Sequence, residues 1–317
     1  MDVRFQEPEI FKPETAPADP RIGHLLGGRL EEGEEPSAVI LGFPSDEGVR
    51  RNNGRVGAAG GPTEIRRWFH RFTPCAPCPD EFESLIGRTL DLGDLEVSGD
   101  VEPDQESLGA ALGPYIERGV FAVVLGGGHE TGFGHFLGWA AAGRAVSILN
   151  WDSDVDVREL KDGQAHSGSP FRQALEHGSG LCRSYRVAGL LPYSAAAAHL
   201  KFVREHGGGY TWGFDLNRSV VDDLYGDLVE PAMVTFDLDG VDQAFAPGVS
   251  APATGGISAE LWLYAAYAAG RCPGVGSCEI VELNPRYDRD GQTAKLAAFG
   301  LWQILRGVSE RNVTGNR

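Results

Sequence analysis

Eight short apolar or alternating blocks recur along the chain, at residues 38–43, 89–95, 121–126, 145–152, 185–191, 210–214, 233–239 and 277–283. Blocks of this length, bounded by Gly, Pro and Asp, predict buried strands. Between most of them the apolar residues take helical spacing, at 106–117, 134–142, 195–206, 259–269 and 293–305. Strands alternating with helices predict βαβ units, hence a mainly parallel sheet of roughly eight strands with helices on both faces, a three-layer α/β/α fold. The first 36 residues carry no period; Pro8, Pro13, Pro17, Pro20 and the acidic run 31–35 predict an N-terminal arm or irregular lead-in. Residues 37–317 contain no linker or repeat and are expected to form one catalytic domain.

Candidate chemistry sits where three of these strands end. The segments are Gly126-Gly127-Gly128-His129-Glu130, Asp152-Ser153-Asp154-Val155-Asp156 and Asp237-Leu238-Asp239. In extended chain, residues two apart point the same way, so Asp152, Asp154 and Asp156 converge, as do Asp237 and Asp239. Five carboxylates in one place repel unless cations hold them, and oxygen ligands with one imidazole, from His129, suit a hard divalent ion such as Mn²⁺. In open α/β sheets ligands bind beyond the carboxyl ends of strands, where all three segments fall. A calcium loop starting at Asp152 needs Gly and Glu where the chain has Val157 and Gly163. The run 234–241 also resembles the opening of an aspartyl-phosphate phosphatase with Asp237 as nucleophile, although that motif normally opens its domain.

A net charge of −17 argues against nucleic acid or an anionic membrane as partner. No apolar stretch approaches the roughly 20 residues that span a bilayer, and Met1 to Arg4 leads into no signal-peptide core, so a cytoplasmic protein is expected. Five scattered cysteines, an odd number, do not form a disulfide framework. Cys75-Ala76-Pro77-Cys78 has zinc or redox spacing but no second pair, and reads as a proline-rich loop.

The motifs together resemble the ureohydrolases, the family that includes arginase and agmatinase. The likeness runs from about residue 38 to 305 and is carried by Gly-Gly-Gly-His129, Asn150 to Asp156, Thr235 to Asp242, Ala246-Pro247-Gly248 and Glu279 to Pro285. The resemblance implies an arginase/deacetylase-like three-layer fold with two Mn²⁺ ions. It assigns His129, Asp152, Asp156 and Asp237 to one ion, and Asp152, residue 154, Asp237 and Asp239 to the other. It gives Asp156 the nucleophile's hydrogen bond and Glu282 the cationic end of the substrate, and it implies a homo-oligomer. Three stretches, Asp46 to Asn52 with Gly54 to Gly57, Gly128-His129-Glu130 and Ser167 to Gln173, are most similar to the branch that splits N-formimidoyl-L-glutamate into glutamate and formamide. The alternatives are a guanidino hydrolase acting on agmatine, arginine or a guanidino acid, and a non-catalytic metal-binding relative. A substrate with two carboxylates needs cations, and Arg50, Arg51, Arg55 and Arg172 are the candidates, with Ser167 at the amino-acid end. Phe171 stands where arginases carry a histidine, and His166 is a loop histidine with no matching role. One departure bears on the second ion: the family has His where this chain has Asp154.

Overall fold

The computed structural model describes residues 3–14, 18–31 and 33–311; Pro17, Glu32 and the first two residues, which figure in the readings of the arm and the leader, lie outside them. The strands are β1 (Phe5–Gln6), β2 (Ala38–Phe43), β3 (Thr89–Leu95), β4 (Phe121–Gly126), β5 (Val146–Trp151), β6 (Cys182–Leu190), β7 (Gly209–Trp212), β8 (Ala232–Asp237) and β9 (Val275–Val281). They form one sheet in the order β1-β3-β2-β4-β9-β8-β5-β6-β7. Every pairing is parallel except that of β1 with β3.

Among the described residues the sheet thus has nine strands where the sequence predicts about eight, because the arm supplies β1. Two residues of alternating burial within a proline-rich lead-in give no detectable period. The arm also contributes Ile22, fully buried beside Phe69 and Phe82. Among the described residues no helix is long and apolar enough to cross a membrane.

Side-chain alternation along the inner strands divides the core into two. On one face Ile40, Val123, Leu149, Phe236 and Ile280 pack under helices Gly61–Phe69, Ala259–Arg271 and Gln292–Ser309. On the other, Leu41, Val124, Ile148, Val187 and Met233 pack under Val101–Glu117 and Thr131–Ala141. Central strands β2, β4, β5 and β8 are buried at every residue, as a sheet covered on both faces requires. Cys75 is buried in the first core and half-buried Cys78 precedes helix Pro79–Gly87, their sulfurs 2.8 Å apart.

Candidate metal centre and active-site cavity

Four strands adjacent in the sheet, β4, β9, β8 and β5, end side by side at one edge. The register pairs Leu125 with Ile280, Asp237 with Val281, and Phe236 with Trp151. With strands roughly 4.8 Å apart, the residues that leave them, His129, Glu282, Asp237 and Asp152, must meet. The glycines of 126–128 make this possible. Gly127 N–H donates to Phe43 O at 2.8 Å, its carbonyl accepts from Glu282 N–H at 2.8 Å, and a Cβ there would lie 1.8 Å from Ser45 O. The loop is therefore clamped between the ends of β2 and β9, and only glycine fits.

His129, Asp152, Asp156 and Asp237 bring one ligand atom each to within 4.8 Å of the others, all buried. The Nδ1 atom of His129 is 2.8 Å from Asp156 Oδ2, 2.8 Å from Asp237 Oδ2 and 3.6 Å from Asp152 Oδ2. None of these contacts has hydrogen-bond geometry, so a buried nitrogen is crowded by three carboxylates and bonded to none. That arrangement fits ligand atoms converging on a cation. Thr235 Oγ1, 2.8 Å from Nε2, holds the other side of the ring. The Phe171 ring meets the imidazole edge-on, with centroids 5.2 Å apart.

The electrostatics agree. Burial, then Asp237 and Asp156, pushes Asp152 well above the usual carboxylate range; burial, then Asp237 and Asp152, does the same to Asp239. Burial opposes a charge on His129, but Asp237 and Asp156 outweigh it and raise the imidazole. These are the signs of anions gathered where cations belong. Two side chains are held by unusual backbone: Asp156 has φ +42° and Glu282 φ +66°. Left-handed conformations at non-glycine residues cost on the order of 1 kcal/mol or more and collect at functional sites. Glu282 Oε1 accepts from His129 N–H at 2.8 Å, while its buried Oε2 has no partner.

Asp154 stands apart from the four. Its Oδ1 accepts from Val155 N–H at 3.0 Å, its Oδ2 is 3.8 Å from Arg158, and burial with Asp156 lifts its carboxyl to about 6. Asp239, half-buried, donates its N–H to Asp237 Oδ1 at 2.7 Å. Both line a cavity of about 330 Å³ that opens over the cluster, together with Glu282, Ser167, Arg55 and Arg158.

The predicted arginines separate on inspection. Arg55 reaches the cavity, though its guanidinium binds Ser250 O at 2.9 Å and Val249 O at 2.7 Å and lies over Tyr287. Arg50 pairs with Glu47 on the surface. Arg51 is enclosed by Glu47, Asp100 and Glu102. Arg172, expected near the substrate, instead donates to Val157 O at 3.0 Å and to Glu176 at 3.1 Å and stacks on Phe202 at 4.0 Å. These contacts tie it to the loop that follows Asp156. Ser167 does line the cavity, accepting from Asn52 Nδ2 at 3.2 Å. His166 is fixed by backbone, its Nδ1 accepting from Gly168 N–H and its Nε2 donating to Glu159 O.

Arg158 lines the cavity and is not among the arginines that the sequence singles out. A signal existed: it continues the every-second-residue series of Asp152, Asp154 and Asp156. Asn53, in the left-handed region at φ +61°, also lines the cavity and was equally missed.

Comparison with known proteins places this geometry in context. The chain is 37% identical over 292 residues to formimidoylglutamase of Rhodococcus jostii, covering 87% of this chain and 88% of that one. It is 33% identical to the Chromobacterium violaceum enzyme of the same name, covering 89% and 92%. Formiminoglutamase of Trypanosoma cruzi, solved with Mn²⁺, superposes with a TM-score of 0.85 at 30% identity over 92% of this chain and 99% of that one. The family model described as Arginase family matches residues 36–306. By sequence over most of its length, and by the strand ends that carry its acids, this chain belongs to the arginase family.

Proposed function

We propose that the protein hydrolyses N-formimidoyl-L-glutamate to L-glutamate and formamide, using two manganese ions. The observation that carries the substrate is the pairing, in one cavity, of a carboxylate cluster with an arginine rim: Arg158 keeps 45% of its side chain exposed and only a long 3.8 Å contact to Asp154. A substrate with a cationic amidine at one end and carboxylates at the other fits that polarity, and agmatine, cationic at both ends, does not. The relatives named formimidoylglutamase support the same choice.

His129, Asp152, Asp156 and Asp237 would hold one ion; Asp152, Asp154, Asp237 and Asp239 would hold the other. When bound, the metal pair supplies Lewis acidity and a water acidic enough to ionise near neutral pH. The chain's residues do the rest. Asp156 accepts the hydrogen bond of the attacking water and holds it in line. Glu282 pairs with the amidinium nitrogens and aims the carbon at the water. Arg158, with Ser167 and Arg55, receives the glutamate end. Asp237, engaged by His129 and by the Asp239 N–H, is a ligand in this reading and not a phosphate nucleophile.

Assaying Mn²⁺-loaded protein against formimidoylglutamate, agmatine, arginine and guanidinobutyrate tests this. Formamide from the first is expected; urea from a guanidino compound as the main product would replace it with the alternative. Homo-oligomer assembly and a cytoplasmic location belong to the same proposal, supported by family resemblance, and light scattering tests the first.

A further inference from the structure

Beneath the acidic cluster, one step down the strands, lies a second row of polar residues. The register sets Asn150 of β5 beside Thr235 of β8, and Thr235 beside Glu279 of β9. All three are fully buried, above a row made of Ile148, Met233 and Ser277 on the same face. Each reaches toward the cluster or its support. Asn150 Nδ2 donates to Asp152 Oδ2 at 3.0 Å, and Thr235 Oγ1 takes the Nε2 of His129 at 2.8 Å. Glu279 Oε1 lies 3.8 Å from the same Nε2 and has no hydrogen-bond partner, while Oε2 is 3.0 Å from His135 Nδ1.

A buried carboxylate that makes one bond and leaves one oxygen bare is costly, and the catalytic reading above gives it no task. A single donor order satisfies the groups beyond it. Trp139 Nε1–H donates to Ser277 Oγ at 2.9 Å, Ser277 O–H donates to His135 Nε2 at 2.6 Å, and His135 Nδ1–H donates to Glu279 Oε2. Helix Thr131–Ala141 carries His135 and Trp139, so it grips Glu279 from outside the sheet. Gly132 leaves the room: a Cβ there would stand 3.2 Å from Glu279 Oε1.

For His129 to offer Nδ1 to a cation, its proton must sit on Nε2. A negative oxygen held near Nε2 favours that tautomer and makes Nδ1 the better donor, the general effect of carboxylates placed behind metal-binding histidines. We propose that Glu279 is a positioning residue for His129: held by His135, Ser277 and Trp139, it works with Thr235 to fix the imidazole with its Nδ1 lone pair facing the metal. The proposal rests on the metal reading of the cluster.

The test is Mn²⁺ binding to the metal-free full-length protein, with Glu279→Gln, which keeps shape and removes charge, and His135→Gln, which keeps the charge and loosens its support. Glu279→Gln should weaken one of the two ions roughly 10- to 100-fold and leave the other unchanged. His135→Gln should weaken the same ion by less. At two equivalents of Mn²⁺ the electron paramagnetic resonance spectrum of Glu279→Gln should change from that of a coupled pair toward the six-line pattern of an isolated ion. Unchanged binding of both ions overturns the proposal. So does equal loss of both ions, or melting of both metal-free variants, since a packing role would produce either. If the parent protein binds no Mn²⁺, the metal reading itself falls.

Discussion

Asp237 and His129 occupy different ranks in the cluster, and substitution separates them. Asp237→Ala removes a carboxylate assigned to both ions and should abolish binding of both; His129→Ala should weaken one, read by metal content after dialysis. The arginines divide the same way. Arg158→Ala should raise KM for formimidoylglutamate roughly 10- to 100-fold, the loss of a charge-assisted contact worth about 1.5–3 kcal/mol, with kcat less affected. Arg172→Ala should leave KM nearly unchanged and lower the melting temperature, because its guanidinium braces Val157 and Glu176. Residue type alone did not distinguish these two arginines in the sequence. What separates them is that Arg158 leaves an irregular loop toward the cavity while Arg172 leaves helix Pro170–Leu175 toward Val157 and Phe202, and such directions appear only once the segment is folded. Asp152 and Asp237 sit at strand ends, where direction is fixed in advance, whereas Asp156 joins them only through a left-handed turn of the backbone at φ +42° that no spacing announces. Asp154→His, restoring the family residue, should raise the preference for Zn²⁺ or Co²⁺ over Mn²⁺; an unchanged preference would remove Asp154 from the ligand set.

At the scale of elements, the long strands and helices were readable because burial imposes a period upon them. Helices Ile22–Leu25, Glu47–Arg51, Gly61–Phe69, Pro79–Gly87, Pro170–Leu175 and Arg218–Gly226 were not, none of them being longer than nine residues. The loop between β4 and the helix that follows it shows how an element's conformation serves chemistry. Gly127→Ala would drive a methyl group into Ser45 O and part β2 from β9 at their ends. We expect a loss of several kcal/mol in unfolding free energy together with weaker Mn²⁺ binding, since His129 and Glu282 are hung from the same clamp. A destabilised variant that still binds metal as the parent does would uncouple the two.

For the whole molecule, the −17 charge bears on partners but says nothing of how the arm joins the body. His70 does this: fully buried, its Nδ1 accepts from Phe11 N–H at 3.1 Å. Burial lowers its pKa from 6.5 to about 4, Asp91 opposing and Arg66 assisting. The folded state therefore refuses a proton that the unfolded chain takes up. The stability this neutral form provides is intact above about 6.5 and is lost as pH falls from there toward 4, by at most about 3 kcal/mol. Urea unfolding across that range should show the slope, and His70→Gln should flatten it. A slope unaltered by the substitution would assign the acid sensitivity to other groups.

The sheet's two borders are β1, two residues long, and β7, four residues long. A passing chain seeking to extend the sheet by pairing with either border strand would find few free amides and carbonyls on it to register against. Native molecules are thus poor templates for one another. Heat-induced clumping should begin only where unfolding begins, and crowding the solution with folded protein should not bring it forward.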